Sequence, residues 1–277
     1  MSTTAAVVLA GGGSTRMGTP KAALPWHGST LLRRAAGIAG RAVDGPVVVV
    51  RSSGQELPPL PAGIDVTEDA RPGRGPLQGI AAGLEAVGER ARQAFVCGMD
   101  SPLAHPAFIR HVVRCLDADH DVALPGAHGF DHPLAAAYRI ATAAPALEQT
   151  LAGGSLSTGA LMRRLRVLSL DAAALLADPV VAVLDPQLDS LVNVNTSEEY
   201  AAARARPAPA VTVRCLGALR LRGLDPITLR VATVGAAAAI IGVELGGDVA
   251  ALINGEQVVH DPLAPLAAGD AVIFMAP

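Results

Sequence analysis

Aromatic side chains are scarce in this sequence, 3% of 277 residues, and charged ones make up only 17%. The shortage of aromatics accompanies an abundance of alanine, glycine and valine and reads as a bias of the whole chain rather than a sign of function. Charge of one sign is lacking too. With 22 basic against 25 acidic residues the formal net charge is -3, so the clustered positive charge that a nucleic acid backbone needs is absent and nucleic acid is not an expected partner. The three cysteines, Cys97, Cys115 and Cys215, are odd in number and widely separated. That spacing argues against a disulfide framework or a zinc site and for free thiols in a reducing compartment, the cytoplasm being expected. No apolar run approaches the ~18 residues of a membrane span. The longest, at 231–243, is short and rich in alanine, and the first residues carry no basic leader pattern, so no membrane association is expected.

What is present is ample apolar material, 51% of residues, enough for buried cores and without any compositional mark of disorder. The length exceeds the roughly 100 to 200 residues of one ordinary domain, which points to one large and one small unit. Up to about residue 204, short β-branched runs at 5–9, 46–50, 94–97 and 121–124 alternate with helical patterns at 31–43, 77–87 and 106–116. This alternation predicts an α/β fold, a mostly parallel sheet with helices on both faces, whose ligand site lies at the carboxyl ends of the strands. Prolines 207 and 209 among small residues mark a linker at 205–210. Beyond it, 211–277 reads as strand 211–216, strand 219–229, helix 234–242, strand 248–253, a turn at Asn254-Gly255 and a last strand 271–274, a small sheet packed on one helix.

The first strand runs into Leu9-Ala10-Gly11-Gly12-Gly13-Ser14-Thr15-Arg16-Met17-Gly18, with Lys21 close behind. Glycines straight after a strand let backbone N–H groups approach phosphate oxygens with no Cβ in the way. A guanidinium and an ammonium on the same loop suit a triphosphate and the charge that grows on departing pyrophosphate. The spacing matches neither the dinucleotide fingerprint nor the P-loop. A second signal, Phe95-Val96-Cys97-Gly98-Met99-Asp100-Ser101-Pro102, sets a carboxylate at the end of a buried strand, where it can coordinate Mg²⁺ bridging nucleotide phosphates. The bland alternative for Asp100 is a helix N-cap, and Cys97 reads as core.

The glycine loop with Arg16 and Lys21 resembles the signature of molybdenum cofactor guanylyltransferases, the MobA-like nucleotidyltransferases. The resemblance implies a Rossmann-like nucleotidyltransferase fold of the nucleotide-diphospho-sugar transferase type, with GTP and Mg²⁺. It places Leu9, Ala10, Gly11, Gly12, Gly13, Arg16 and Lys21 at the triphosphate and Asp100 on the metal. The element Gly75-Pro76-Leu77-Gln78-Gly79, a rigid turn opening a helix, is similar to the family's guanine pocket; Gly75, Pro76, Leu77 and Gly79 are then expected to line the base, with Asp69 nearby. Asn193 and Asn195, in Leu191-Val192-Asn193-Val194-Asn195-Thr196, match a family Asn-Val-Asn close to the catalytic centre, although Asn195 or Thr196 also suits a helix cap. Asp131-His132-Pro133-Leu134 resembles an acceptor-side segment and equally reads as a turn. One departure stands out: Pro20 precedes Lys21 where the family often has Asp, which bears on the acceptor more than on the reaction.

The region 211–277 resembles the β-grasp sulfur carriers of the MoaD and ThiS kind. Those carriers react through a C-terminal Gly-Gly, whereas this sequence closes on Phe274-Met275-Ala276-Pro277, so a non-carrying module is expected, with docking to other molybdenum cofactor proteins as one role. The implied reaction is transfer of GMP from GTP to molybdopterin or Mo-molybdopterin, with release of pyrophosphate. Two alternatives remain: a relative using CTP or another phosphate acceptor, which Gly12 disfavours by resemblance, and a nonenzymatic nucleotide-binding scaffold.

Overall fold

The structure, a computed structural model, describes residues 3–11, 20–69, 75–219, 226–246 and 249–276. Chain order in the first unit begins β1 (Thr4–Leu9), β2 (Pro25–Trp26), β3 (Ser29–Thr30), α1 (Leu31–Gly40), β4 (Val47–Ser52), β5 (Asp65–Asp69) and α2 (Pro76–Val87). It continues with β6 (Gln93–Gly98), α3 (Pro106–Cys115), β7 (Val122–Ala127), β8 (Phe130–Asp131), β9 (Ala135–Arg139), α4 (Ile140–Ala152) and α5 (Thr158–Met162). The unit ends with β10 (Val167–Leu170), α6 (Ala172–Leu176), α7 (Pro179–Leu184) and α8 (Ser197–Arg204). Among the described residues no helix is long and apolar enough to cross a membrane.

The main sheet has the order β10-β7-β9-β6-β1-β4-β5, with β8 paired to β7. β1, β4, β5 and β6 run parallel, as β7 and β10 do with each other, while β9 lies antiparallel between β6 and β7. Because side chains alternate along a strand, Ala6 and Val8 of β1 enter one apolar cluster with α1 and α3, and Ala5, Val7 and Leu9 enter another with α2 and α4. A strand covered on both faces reads as a continuous apolar run, which is why β1 and β6 were visible in the sequence. Helix α2 lies flush on β1: a Cβ at Gly83 would stand 2.3 Å from Val7 Cγ1 and 3.1 Å from Val50 Cγ2, both stiff β-branched side chains. Alanine improves helix propensity by up to about 1 kcal/mol, but overpacking here costs about 1–3 kcal/mol. Gly83→Ala is therefore expected to lower stability in urea unfolding; an increase would contradict this packing.

Past residue 204 the chain forms β11 (Ala210–Leu216), β12 (Ile227–Arg230), α9 (Val234–Ile240), β13 (Ala250–Ile253), β14 (Gln257–Val259) and β15 (Ala271–Met275). They make a second sheet of order β12-β11-β15-β13-β14, with β11 parallel to β15 and the other neighbours antiparallel. Three details correct the sequence reading. Leu219 lies in a short 3-10 turn, Gly217–Leu219, and not in the second strand, which covers Ile227–Arg230 among the described residues; Val249 forms only an isolated bridge with Gly246 ahead of the next strand, Ala250–Ile253; and β14 is an extra strand, residues 220–225 and 248 of the expected strands lying outside the described residues. Its connection to β13 is the expected tight turn, Asn254 and Gly255 both having positive φ, 54° and 74°.

The two units are clamped together. Asp270, buried, accepts from Arg41 Nη1 at 2.8 Å and Nη2 at 2.6 Å, from Asn254 Nδ2 at 2.9 Å and from the Ala267 N–H at 2.7 Å. Arg33 pairs with Asp261 at 2.5 Å. Pro265 sits over Gly37 of α1, where a Cβ would come within 2.6 Å of it, and Ala267 joins the apolar cluster under α1 and α3.

Candidate active site

The carboxyl ends of β1 and β6 lie side by side, Leu9 paired with Gly98 in register and the Met99 N–H donating to the Leu9 carbonyl at 3.1 Å. This brings the segments that follow β1 and β6 to the same end of the sheet. Two glycines keep the edge open. A Cβ at Gly98 would stand 2.3 Å from Asp100 Oδ1, and one at Gly11 would stand 2.9 Å from Ser52 Oγ. The Ala10 backbone is tied down on both sides, its N–H donating to Val50 and its carbonyl accepting from Gln55 Nε2.

Lys21 heads a short 3-10 turn and turns its ammonium to this edge, 3.5 Å from Asp100 Oδ2 and 3.2 Å from Asn195 Oδ1. The loop 192–195 closes the third side. The Val194 N–H donates to the Asp100 carbonyl at 2.8 Å, and Ser101 Oγ donates to Asn193 Oδ1 at 2.8 Å. Both asparagines therefore act as tethers, one on Lys21 and one on the residue after Asp100. Capping of α8 falls to Thr196, which forms a full capping box with Glu199. Capping of α3 falls to His105, whose Nδ1 accepts from the Ala107 N–H, so Asp100 is not spent on a helix end. The Asp100 side chain is 25% exposed and that of Lys21 15%, leaving both in reach of a ligand.

The other expected positions divide. Gly12, Gly13 and Arg16 lie outside the described residues. Gly75 is the N-cap of α2 at φ 76°, a backbone angle suited to glycine, and Pro76 occupies the first helical turn. Leu77 is fully buried in the core, and Gly79 is where α2 meets the Leu9 side chain, a Cβ there falling 3.3 Å from it. Leu9 and Ala10 are buried as well. The side chains of Leu9, Ala10 and Leu77 thus serve the core. Asp69 ends β5, buried, opposite Ser52. His132 spends its ring on its own hairpin, Nε2 lying 3.1 Å from the Ala127 carbonyl. Cys97 is core, its thiol pushed up to about 12 by burial, with the Asp100 charge adding to the shift.

Among the described residues there is no cluster of three or more His, Cys, Asp or Glu side chains that could hold a metal. Among the described residues, the carboxylate that meets Lys21 at this edge is Asp100. That fits Mg²⁺, which keeps several waters and binds through one or two carboxylates together with substrate phosphates. Sequence reasoning missed His105, Ser101 and Gly98. The first two look like ordinary loop residues, and Gly98 two residues before an aspartate was the one available signal.

A lysine and a strand-end aspartate meeting at the carboxyl end of such a sheet are an arrangement that suits nucleotidyl transfer. Residues 6–167 match the family model of the MobA-like NTP transferase domain, and the chain belongs to that family. Over 207 residues it is 38% identical to a probable molybdenum cofactor guanylyltransferase of Mycobacterium avium, covering 73% of this chain and 96% of that one. Among solved structures it is similar to molybdopterin-guanine dinucleotide biosynthesis protein A from Archaeoglobus fulgidus, with a TM-score of 0.57 at 23% identity, covering 72% of this chain and 96% of the other. It is similar also to 2-C-methyl-D-erythritol 4-phosphate cytidylyltransferase from Thermus thermophilus, with a TM-score of 0.53 at 17% identity, covering 72% and 96%. At these identities the solved structures speak for the fold.

Proposed function

We propose that this nucleotidyltransferase transfers GMP from GTP to the terminal phosphate of molybdopterin or Mo-molybdopterin. The observation that carries the reading is the convergence of Lys21, Asp100 and Asn195, from three separate segments, at the carboxyl end of the sheet. The likeness to guanylyltransferases over nearly the whole of a relative supports the choice of nucleotide and acceptor.

In this reading the glycine-rich segment 11–13 and Arg16 hold the triphosphate, and the start of α2 at Gly75 and Pro76 meets the base through backbone groups. Asp100 would hold Mg²⁺, which when bound would supply positive charge to the triphosphate. An oxygen of the acceptor phosphate attacks the α-phosphorus, the bond to the bridging oxygen breaks, and its electron pair leaves on pyrophosphate. Lys21 stabilises that leaving charge, and Asn195 keeps its ammonium in place. The nucleophile is already an anion near neutral pH, so catalysis is positioning and charge stabilisation, with no general base required. The sheet order of residues 210–275 supports reading the second unit as a β-grasp module of the MoaD and ThiS kind, held against the transferase.

The reading is tested by pyrophosphate release with Mg²⁺ from GTP, CTP and ATP in turn, with and without molybdopterin. Release confined to GTP plus molybdopterin is expected. A preference for CTP would move the chain to cytidylyl transfer, and binding without release would make it a scaffold.

A further inference from the structure

The segment that follows Asp100 is held by the second unit. Arg34 of α1 is buried, and its guanidinium bridges two backbone carbonyls: Nε donates to Pro102, two residues after Asp100, and Nη1 donates to Leu266 at 3.2 Å. His105 makes the second link, Nε2 lying 3.0 Å from the Ala268 carbonyl while Nδ1 caps α3. These bonds require the neutral imidazole with its proton on Nε2, and burial lowers the His105 pKa in the same sense. The other side of the segment is fixed from within the first unit, the His105 N–H on Ser190 Oγ and the Asp100 carbonyl on the Val194 N–H. A loop of the second unit thus forms one wall of the cradle in which residues 100–105 sit.

We propose that the second unit is a cis-acting positioning element for the transferase: the Leu266 and Ala268 carbonyls, acting through Arg34 and His105, set where Asp100 stands. This rests on Asp100 being the metal-holding carboxylate. Arg34 and His105 are positioning residues and touch no substrate. A buried arginine donating to two carbonyls is costly to desolvate, and this one stands where the Asp100 segment meets the second unit.

The test uses the full chain and Mg²⁺-dependent pyrophosphate release from GTP with molybdopterin. His105→Asn keeps an N-cap acceptor but is too short to reach Ala268. Arg34→Lys keeps the charge but cannot bridge both carbonyls. Asp261→Asn is the control, because the Arg33–Asp261 pair joins the same two units without touching residues 100–105. Loss of one or two such bonds is expected to raise the half-saturating Mg²⁺ concentration about five- to tenfold in His105→Asn and Arg34→Lys. The KM for GTP at saturating Mg²⁺ is expected to stay within about twofold, since a metal-positioning defect leaves base and triphosphate contacts in place. Asp261→Asn is expected to leave the Mg²⁺ response unchanged even where it lowers the melting temperature as much. An unchanged Mg²⁺ response in both His105→Asn and Arg34→Lys, or an equal change in Asp261→Asn, overturns the proposal. A wild-type Mg²⁺ response in Asp100→Asn would remove the reading on which it rests, and the proposal with it.

Discussion

Asp100→Asn is expected to fold normally and to release pyrophosphate about a hundredfold more slowly than the wild type, a loss of roughly 2.7 kcal/mol of transition-state stabilisation. The fold survives because what the chain asks of residue 100 structurally is its backbone carbonyl, which accepts from the Val194 N–H, and that is unchanged. Asparagine has the same shape and fits the space left by Gly98. What it lacks is the charge that binds a hard divalent cation. Lys21 keeps its bond to Asn195, so the ammonium stays at the edge of the sheet. The defect should therefore lie in kcat and in the Mg²⁺ requirement rather than in nucleotide affinity alone. Unaltered Mg²⁺-dependent turnover in this variant would remove Asp100 from the mechanism.

The largest effect on stability is expected at the seam between the two units. Asp270→Ala leaves the Arg41 guanidinium, 6% exposed, without its bidentate partner, and also strands Asn254 Nδ2 and the Ala267 N–H. Breaking a buried ion pair from one side costs about 3–5 kcal/mol, because the remaining charge stays desolvated and unpaired. Asp270→Asn, which can still accept hydrogen bonds, is expected to cost less. Trp26 is the sole tryptophan; it is buried in the first unit and rests against Tyr200. Its fluorescence in a urea titration thus reports on the first unit while the substitution lies in the second. A shift of the Trp26 transition to lower urea in Asp270→Ala is expected of units that fold together. An unmoved transition, with a separate early loss of circular dichroism, would show them to be independent.

Those two aspartates differ sharply in how well the sequence announces them. Asp100 stands at the end of an apolar run, where a charged residue has a positional meaning, and the strands around it are runs buried on both faces. Asp270 follows a glycine in an unremarkable turn, and its partner Arg41 is 229 residues away; nothing local joins them. The same holds for Lys21 and Asn195, each flagged by motif but separated by 174 residues. β9 was hidden for another reason. Its sequence, Ala135-Ala136-Ala137-Tyr138-Arg139, has helical propensity, yet it forms a strand because small side chains pack between β6 and β7 and the backbone pairs on both sides. In the second unit the tight turn at Asn254 and Gly255 was legible from its residue pair, while β14, only three residues long, was not.

The most direct test of the central claim is to incubate the full chain with GTP labelled at the α-phosphate, Mg²⁺ and molybdopterin, and to follow the label. The account predicts that it passes into a guanine dinucleotide of the acceptor, one pyrophosphate being released per label transferred, and that Asp100→Asn slows both together. Label remaining in GTP, or appearing only as free GMP whether or not the acceptor is present, would contradict it.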